Sequence, residues 1–156
     1  MKKTLLSFLF LFVIGIISLS AQDYKLGSDY QLGVGIRLST GEPTINNSVS
    51  IKYFLTATTA AEGLVSFGNR FGVGGLYEMH QSLNSPGMRW FYGGGGYIGT
   101  QHRTVYLGPM GVLGLDYKFS QIPLNLSLDW KPELDILPRI NFVPDALALT
   151  ARFTIQ

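Results

Sequence analysis

Leu124-Asn125-Leu126-Ser127-Leu128-Asp129-Trp130-Lys131 alternates without a break: every even residue is apolar and every odd one polar. Successive side chains of a strand point to opposite faces, so a period of two marks a strand with one apolar and one polar face. The last part of the chain repeats the pattern, with Leu147, Leu149, Ala151, Phe153 and Ile155 set against Ala148, Thr150, Arg152 and Thr154. Working outward, the same rhythm predicts eight strands, at about 30–40, 48–59, 61–68, 71–82, 88–100, 105–119, 123–132 and 146–155. Turn chemistry separates them: Gly41-Glu42-Pro43 with Asn46-Asn47, Gly68-Asn69, Asn84-Ser85-Pro86-Gly87, Ser120 to Pro123, and Pro138 to Pro144. Nothing follows a helical period. Eight up-and-down strands joined by short connections predict a closed antiparallel β-barrel.

Composition narrows the setting. Charged residues make up 14% of the 156, where an ordinary soluble domain holds about 25%. Hydrophobic residues make up 46%, which disfavours disorder and a nucleic-acid binder. With no cysteine there is no disulfide framework, thiol nucleophile or thiolate metal site. Residues 1–21 read as an export signal: Lys2 and Lys3, an apolar run from Leu5 to Leu19, then Ser18, Ser20 and Ala21 as small residues at the cleavage site. Removing Lys2 and Lys3 takes the basic count from 12 to 10, against 10 acids, so the mature chain is neutral. Residues 22–156 then form one barrel domain.

Three features predict a barrel with its polar face turned inward. The polar face carries Gly33, Gly35, Gly72, Gly74, Gly93, Gly95, Gly108 and Gly114, where a watered surface would carry Lys and Glu. With both termini at the periplasmic end, Tyr30, Tyr53, Tyr77, Trp90, Tyr92, Tyr117 and Phe153 gather there as an interfacial girdle, with Trp130, Phe67 and Phe71 marking the outer rim. Six cations on the polar face (Arg37, Lys52, Arg89, Lys118, Lys131 and Arg152) meet four carboxylates (Glu62, Glu78, Asp116 and Asp129), a balance suited to pairing inside a narrow lumen.

The signal segment, the strand pattern and the closing strand Ala146-Leu-Ala-Leu-Thr-Ala-Arg-Phe-Thr-Ile155 together resemble the small eight-stranded outer-membrane β-barrel family, of the OmpA-transmembrane-domain or OmpX-like kind. Such barrels commonly end on an aromatic; here Phe153 stands near the end, before Thr154-Ile155-Gln156. The resemblance implies an outer-membrane location, contact with outer-membrane lipid and lipopolysaccharide, and insertion by the barrel-assembly machinery. It implies no cofactor and no nucleic-acid partner.

The chemistry on offer is thin. Glu78, His80 and Ser82 share a face, so an acid, a base and a nucleophile lie on one line of a strand. Some barrels of this size modify lipid A with such groups, which makes a lipid-modifying enzyme the alternative function; a soluble lipocalin-like carrier is a third. Lumen packing is the plainer expectation for the trio. His102-Arg103, Arg70 and Arg139 fall in outer connections, where guanidinium forks suit phosphate oxygens, but loop solubility also accounts for them, and Glu133, Asp135 and Asp145 dilute any basic patch. Gly93-Gly94-Gly95-Gly96 lacks the following Lys-Ser/Thr of a phosphate loop and reads as strand across which Phe91 or Tyr97 can pack. Two distant histidines give no metal site. The function expected is a non-enzymatic envelope barrel with a side-chain-filled lumen.

Overall fold

The computed structural model describes residues 30–144 and 147–156; residues 1–29, which include the expected export signal 1–21, and Asp145 and Ala146 lie outside them. Ten strands follow in order: β1 (Leu32–Ser39), β2 (Ser48–Phe54), β3 (Thr59–Phe67), β4 (Phe71–Ser82), β5 (Met88–Gln101), β6 (Thr104–Lys118), β7 (Leu124–Trp130), β8 (Glu133–Asp135), β9 (Asn141–Val143) and β10 (Leu147–Ile155). There is no helix among the described residues. Neighbours in sequence pair antiparallel from β1 through β7, and β10 joins β7 to β1. The result is a closed eight-stranded antiparallel barrel. Closure pairs each of these eight strands on both sides, and the one open edge among the described residues is the three-residue β9, which pairs only with β8.

Two ends are distinct. One holds the start of β1, the end of β10 and the turns 55–58, 83–87 and 119–123. The opposite end holds the connections 40–47, 68–70 and 102–103, with the β8–β9 hairpin. The turn at 102–103 has only two residues, and both His102 (φ 46°) and Arg103 (φ 69°) adopt the left-handed region that such a hairpin turn demands.

The alternation reads directly as inside and outside. In β10 exposed and buried residues alternate from Leu147 to Ile155. Leu38, Leu113, Leu128 and Leu149 face out, whereas Arg37, Asn125, Ser127, Asp129 and Arg152 are buried. Every exposed charge among the described residues (Glu42, Arg103 and Arg139) sits in a connection between strands. The outer wall is apolar and uncharged; the interior is charged.

Three expectations need correction. Tyr30 does not join the outward aromatics: it precedes β1, turns into the lumen and packs edge-on against Phe54 at 5.1 Å, with Ala60 beside them. The second strand stops at Phe54 rather than 59, because the Thr56 hydroxyl accepts the backbone N–H groups of Thr58 and Thr59 and closes a turn. The seventh strand does not end at 132. Met110 pairs with Glu133 in the register that pairs Leu113 with Trp130, so β8 continues the line of β7 past Pro132.

Candidate functional site

The lumen gathers most of the chemistry-bearing side chains, and the strands place them by parity alone. Nine of the ten charged residues expected inside are buried there: Arg37, Lys52, Glu62, Glu78, Arg89, Asp116, Asp129, Lys131 and Arg152. Lys118 is the exception. It sits at the end of β6, where its ammonium donates to the carbonyls of Phe119 and Ile122 and closes the 119–123 turn. Glu133 and Asp135, expected as solvated loop acids, are buried as well. The interior therefore holds five buried cations and six buried carboxylates among the described residues, and Arg70 at the mouth, 3.5 Å from Asp135, brings the signs level. Level signs matter because an uncompensated charge in so dry an interior is costly.

Toward the end that holds the termini, Arg152 pairs with Glu62 and donates to Ser50 Oγ at 2.7 Å and to Asn125 Oδ1 at 3.3 Å. Ser127 donates to Asp116 at 3.0 Å and also meets Arg152. Lys52 lies 2.7 Å from Glu78 and 4.3 Å from the centre of the Phe91 ring. His80 Nε2 stands 2.9 Å from the same Glu78 oxygen. The imidazole stacks on Phe91 at 5.0 Å and meets the tilted Phe54 ring at 4.9 Å, so two aromatic rings pack against it. Ser82 stands exposed at the rim, outside this cluster. Glu78 and His80 thus meet each other and a lysine, and the nucleophile of the sequence trio is not drawn in.

Above that layer is an apolar one, made by Leu64, Leu76, Phe91, Tyr97, Met110 and Val112 with Ile45. Ile45 comes from the connection between β1 and β2, not from a strand. Residues 43–46 fold down into the mouth, and Thr44 and Ile45 are fully buried. Gly72 and Gly74 make this possible: a Cβ on Gly72 would lie 3.2 Å from Thr44 Cγ2, and one on Gly74 3.2 Å from Ile45 Cγ1. Glycine is found where something must approach the strand closely.

Polar side chains then lock the plug. The Glu133 carboxylate accepts the N–H groups of Thr44 at 2.6 Å and of Ile45 at 3.0 Å. Lys131 bridges Glu133, at 2.7 Å, and the Ile45 carbonyl, at 3.2 Å. Arg37 pairs with Asp129 at 2.6 Å and reaches the same carbonyl at 3.3 Å. Ser66 donates to Asn46 at 2.7 Å. Arg70 donates to Thr44 Oγ1 at 2.9 Å and lies over the Tyr106 ring at 3.7 Å, so it is a fixed part of the mouth rather than a solvated loop cation. Tyr97 donates to Asp135 at 2.8 Å. A backbone segment taken out of water must find partners for its own N–H and C=O groups, and here charged side chains supply them.

Outside the barrel, the aromatics at the terminal end are Tyr53, Tyr77, Trp90, Tyr92, Tyr117 and Phe153, with Trp90 and Tyr92 stacked at 5.2 Å. Phe67, Phe71 and Trp130 face out near the opposite end. His102, Arg103 and Arg139 are exposed there. Glu133 and Asp135 had a readable signal: the odd residues from Asn125 to Asp135 are all polar and all inward. Pro132 alone interrupts the apolar even positions in type, and its carbonyl still accepts from Gly111 N–H at 3.0 Å. The plug had none, since Pro43-Thr44-Ile45-Asn46 is an ordinary turn sequence. No protein-family model matches this chain, and no curated protein sequence matches it.

Proposed function

We propose that this protein is a non-enzymatic integral outer-membrane barrel, resembling the small OmpA-transmembrane-domain and OmpX-like proteins, that spans the lipid with a sealed lumen and serves envelope structure or surface interaction. One observation carries the reading: the outer wall is apolar and uncharged while the barrel interior holds the charges. That is the inverse of a water-soluble barrel and matches what hydrocarbon requires, with every strand paired, apolar residues out and polar residues in. A monomer in water rarely exposes a contiguous apolar patch beyond a few hundred Å². The aromatics near the two ends suit the two interfaces.

The same geometry supports a role without catalysis. Glu78 and His80 are buried among aromatic rings and a lysine, and neither side chain is open to the surface. A soluble carrier would want an apolar chamber, and this interior is filled with ion pairs and a plug. The test is fractionation of cells making the full chain, combined with a gel run with and without boiling. Recovery with the outer membrane and a mobility shift on boiling are expected; a soluble product with no shift would overturn the reading.

A further inference from the structure

The outer wall is not uniform. Over β4, β5 and β6 it is cut by a groove of about 440 Å³, walled by Val73, Ile98 and Leu107 and floored by the backbone of Gly75 and Gly96. Gly75 and Gly96 are register partners, so the floor runs straight from strand to strand. Unlike the inward glycines, these are not forced by crowding. A Cβ on Gly75 would meet nothing within 4 Å, and one on Gly96 would meet only the Gly108 carbonyl at 3.4 Å. Bare backbone at such positions weakens a strand and admits close approach by a ligand.

Exposed cations lie in the connections next to this groove. Leu107 bridges to Leu137, which lays the β8–β9 connection beside β6. Arg103 stands four residues beyond Leu107, roughly 13 Å at about 3.3 Å per residue, and Arg139 lies two residues after Leu137 in the bend between β8 and β9. Both are exposed, as is His102, while the nearby acids Glu133 and Asp135 are buried. These connections are thus positive, beside a wall of exposed Val105, Leu107, Leu137 and Ile140.

We propose that this groove seats an acyl chain of a phosphate-bearing glycolipid of the outer leaflet, whose phosphate is held by Arg103 and Arg139. The inference rests on the outer-membrane reading, since that is what puts this end of the barrel among phosphorylated glycolipids. Guanidinium groups meet phosphate oxygens with two parallel donors, and the groove next to them accepts the chain that hangs from the same molecule.

The full chain is folded into vesicles of zwitterionic lipid doped with a bisphosphorylated acylated disaccharide, its dephosphorylated form, or phosphatidylglycerol, and retained lipid is counted by native mass spectrometry. One phosphorylated glycolipid should survive on the wild-type barrel in preference to the other two. The double variant Arg103→Ala/Arg139→Ala should lower its retention about tenfold or more. Gly75→Leu, for which the fold has room, should lower it with the phosphate contacts intact, and Leu149→Phe on the far wall should not. Equal retention of all three lipids, or retention indifferent to both variants, would overturn the proposal. So would a Gly75→Leu variant that alters oligomeric state and leaves lipid retention untouched, which would identify a second copy as the occupant. Failure of the wild type to fold into any vesicle would instead sink the membrane reading, and this inference with it.

Discussion

At the scale of single residues, Glu133 does more than any other side chain to hold the mouth closed. Its carboxylate takes two backbone N–H groups and a lysine ammonium, all buried. Glu133→Ala removes all three partners at once and leaves Lys131 buried beside Arg37. Breaking one half of a buried pair costs about 3–5 kcal/mol, and urea unfolding from lipid vesicles should show a loss of that order. Proteolysis within residues 41–47 should speed up in parallel, because the segment loses its anchor. An unchanged urea midpoint with unchanged cleavage would mean that Ile45 packing alone holds the plug.

Lys52 and Glu78 invite a second residue-scale test, because each is fully buried and they lie 2.7 Å apart. Lys52→Met and Glu78→Leu should each destabilise the barrel strongly. The double variant should recover much of the loss, since buried pairs replaced by apolar groups of similar volume are often neutral. Double-mutant cycles on the unfolding free energy read the difference directly. Simple additivity of the two losses would show that the ion pair is not the interaction that matters there.

At the scale of the element, parity assigns each strand position to the outer wall or the lumen. Leu113 on β6 is 48% exposed, whereas its strand neighbour Val112 is 6% exposed. Leu113→Arg should therefore lower the free energy of folding into vesicles by about 2–4 kcal/mol near the bilayer midplane, where a loop substitution such as Asn69→Arg should change little. Ser127→Arg on β7 should also destabilise, but by crowding Arg152 and Asp116, which Ser127 already contacts. Intrinsic fluorescence of refolding at graded urea separates the variants. Indifference of folding to Leu113→Arg would refute the lipid-facing assignment.

Across the whole molecule, the layers stack into a stopper: ion pairs near the terminal end, an apolar belt from Leu64 to Val112, and the plug with its own ion pairs above. Eight strands leave an interior just wide enough for side chains to fill. Planar bilayers holding the wild-type protein should therefore conduct no better than bare lipid, and Glu133→Ala should not open them, because the apolar belt beneath the plug remains. A steady channel in the wild type would contradict the packing described.

The sequence by itself determined the barrel and its polarity. Period-two alternation is local, and once a strand such as β7 is drawn, chemistry assigns every side chain to one face or the other. Arg37, Glu62, Asp129 and Arg152 were legible as lumen residues for that reason, and β8 would have been had the alternation been followed past Pro132. The tertiary structure alone decided the rest. Tyr30 lies two residues before β1, where parity no longer binds, and Phe54 and Ala60 draw it inward. Residues 43–46 are held by contacts 88 and 89 positions away in the chain, to Glu133, and by the space that Gly72 and Gly74 leave free. A turn sequence carries no record of what it will fold against, because long-range partners meet only when the barrel closes.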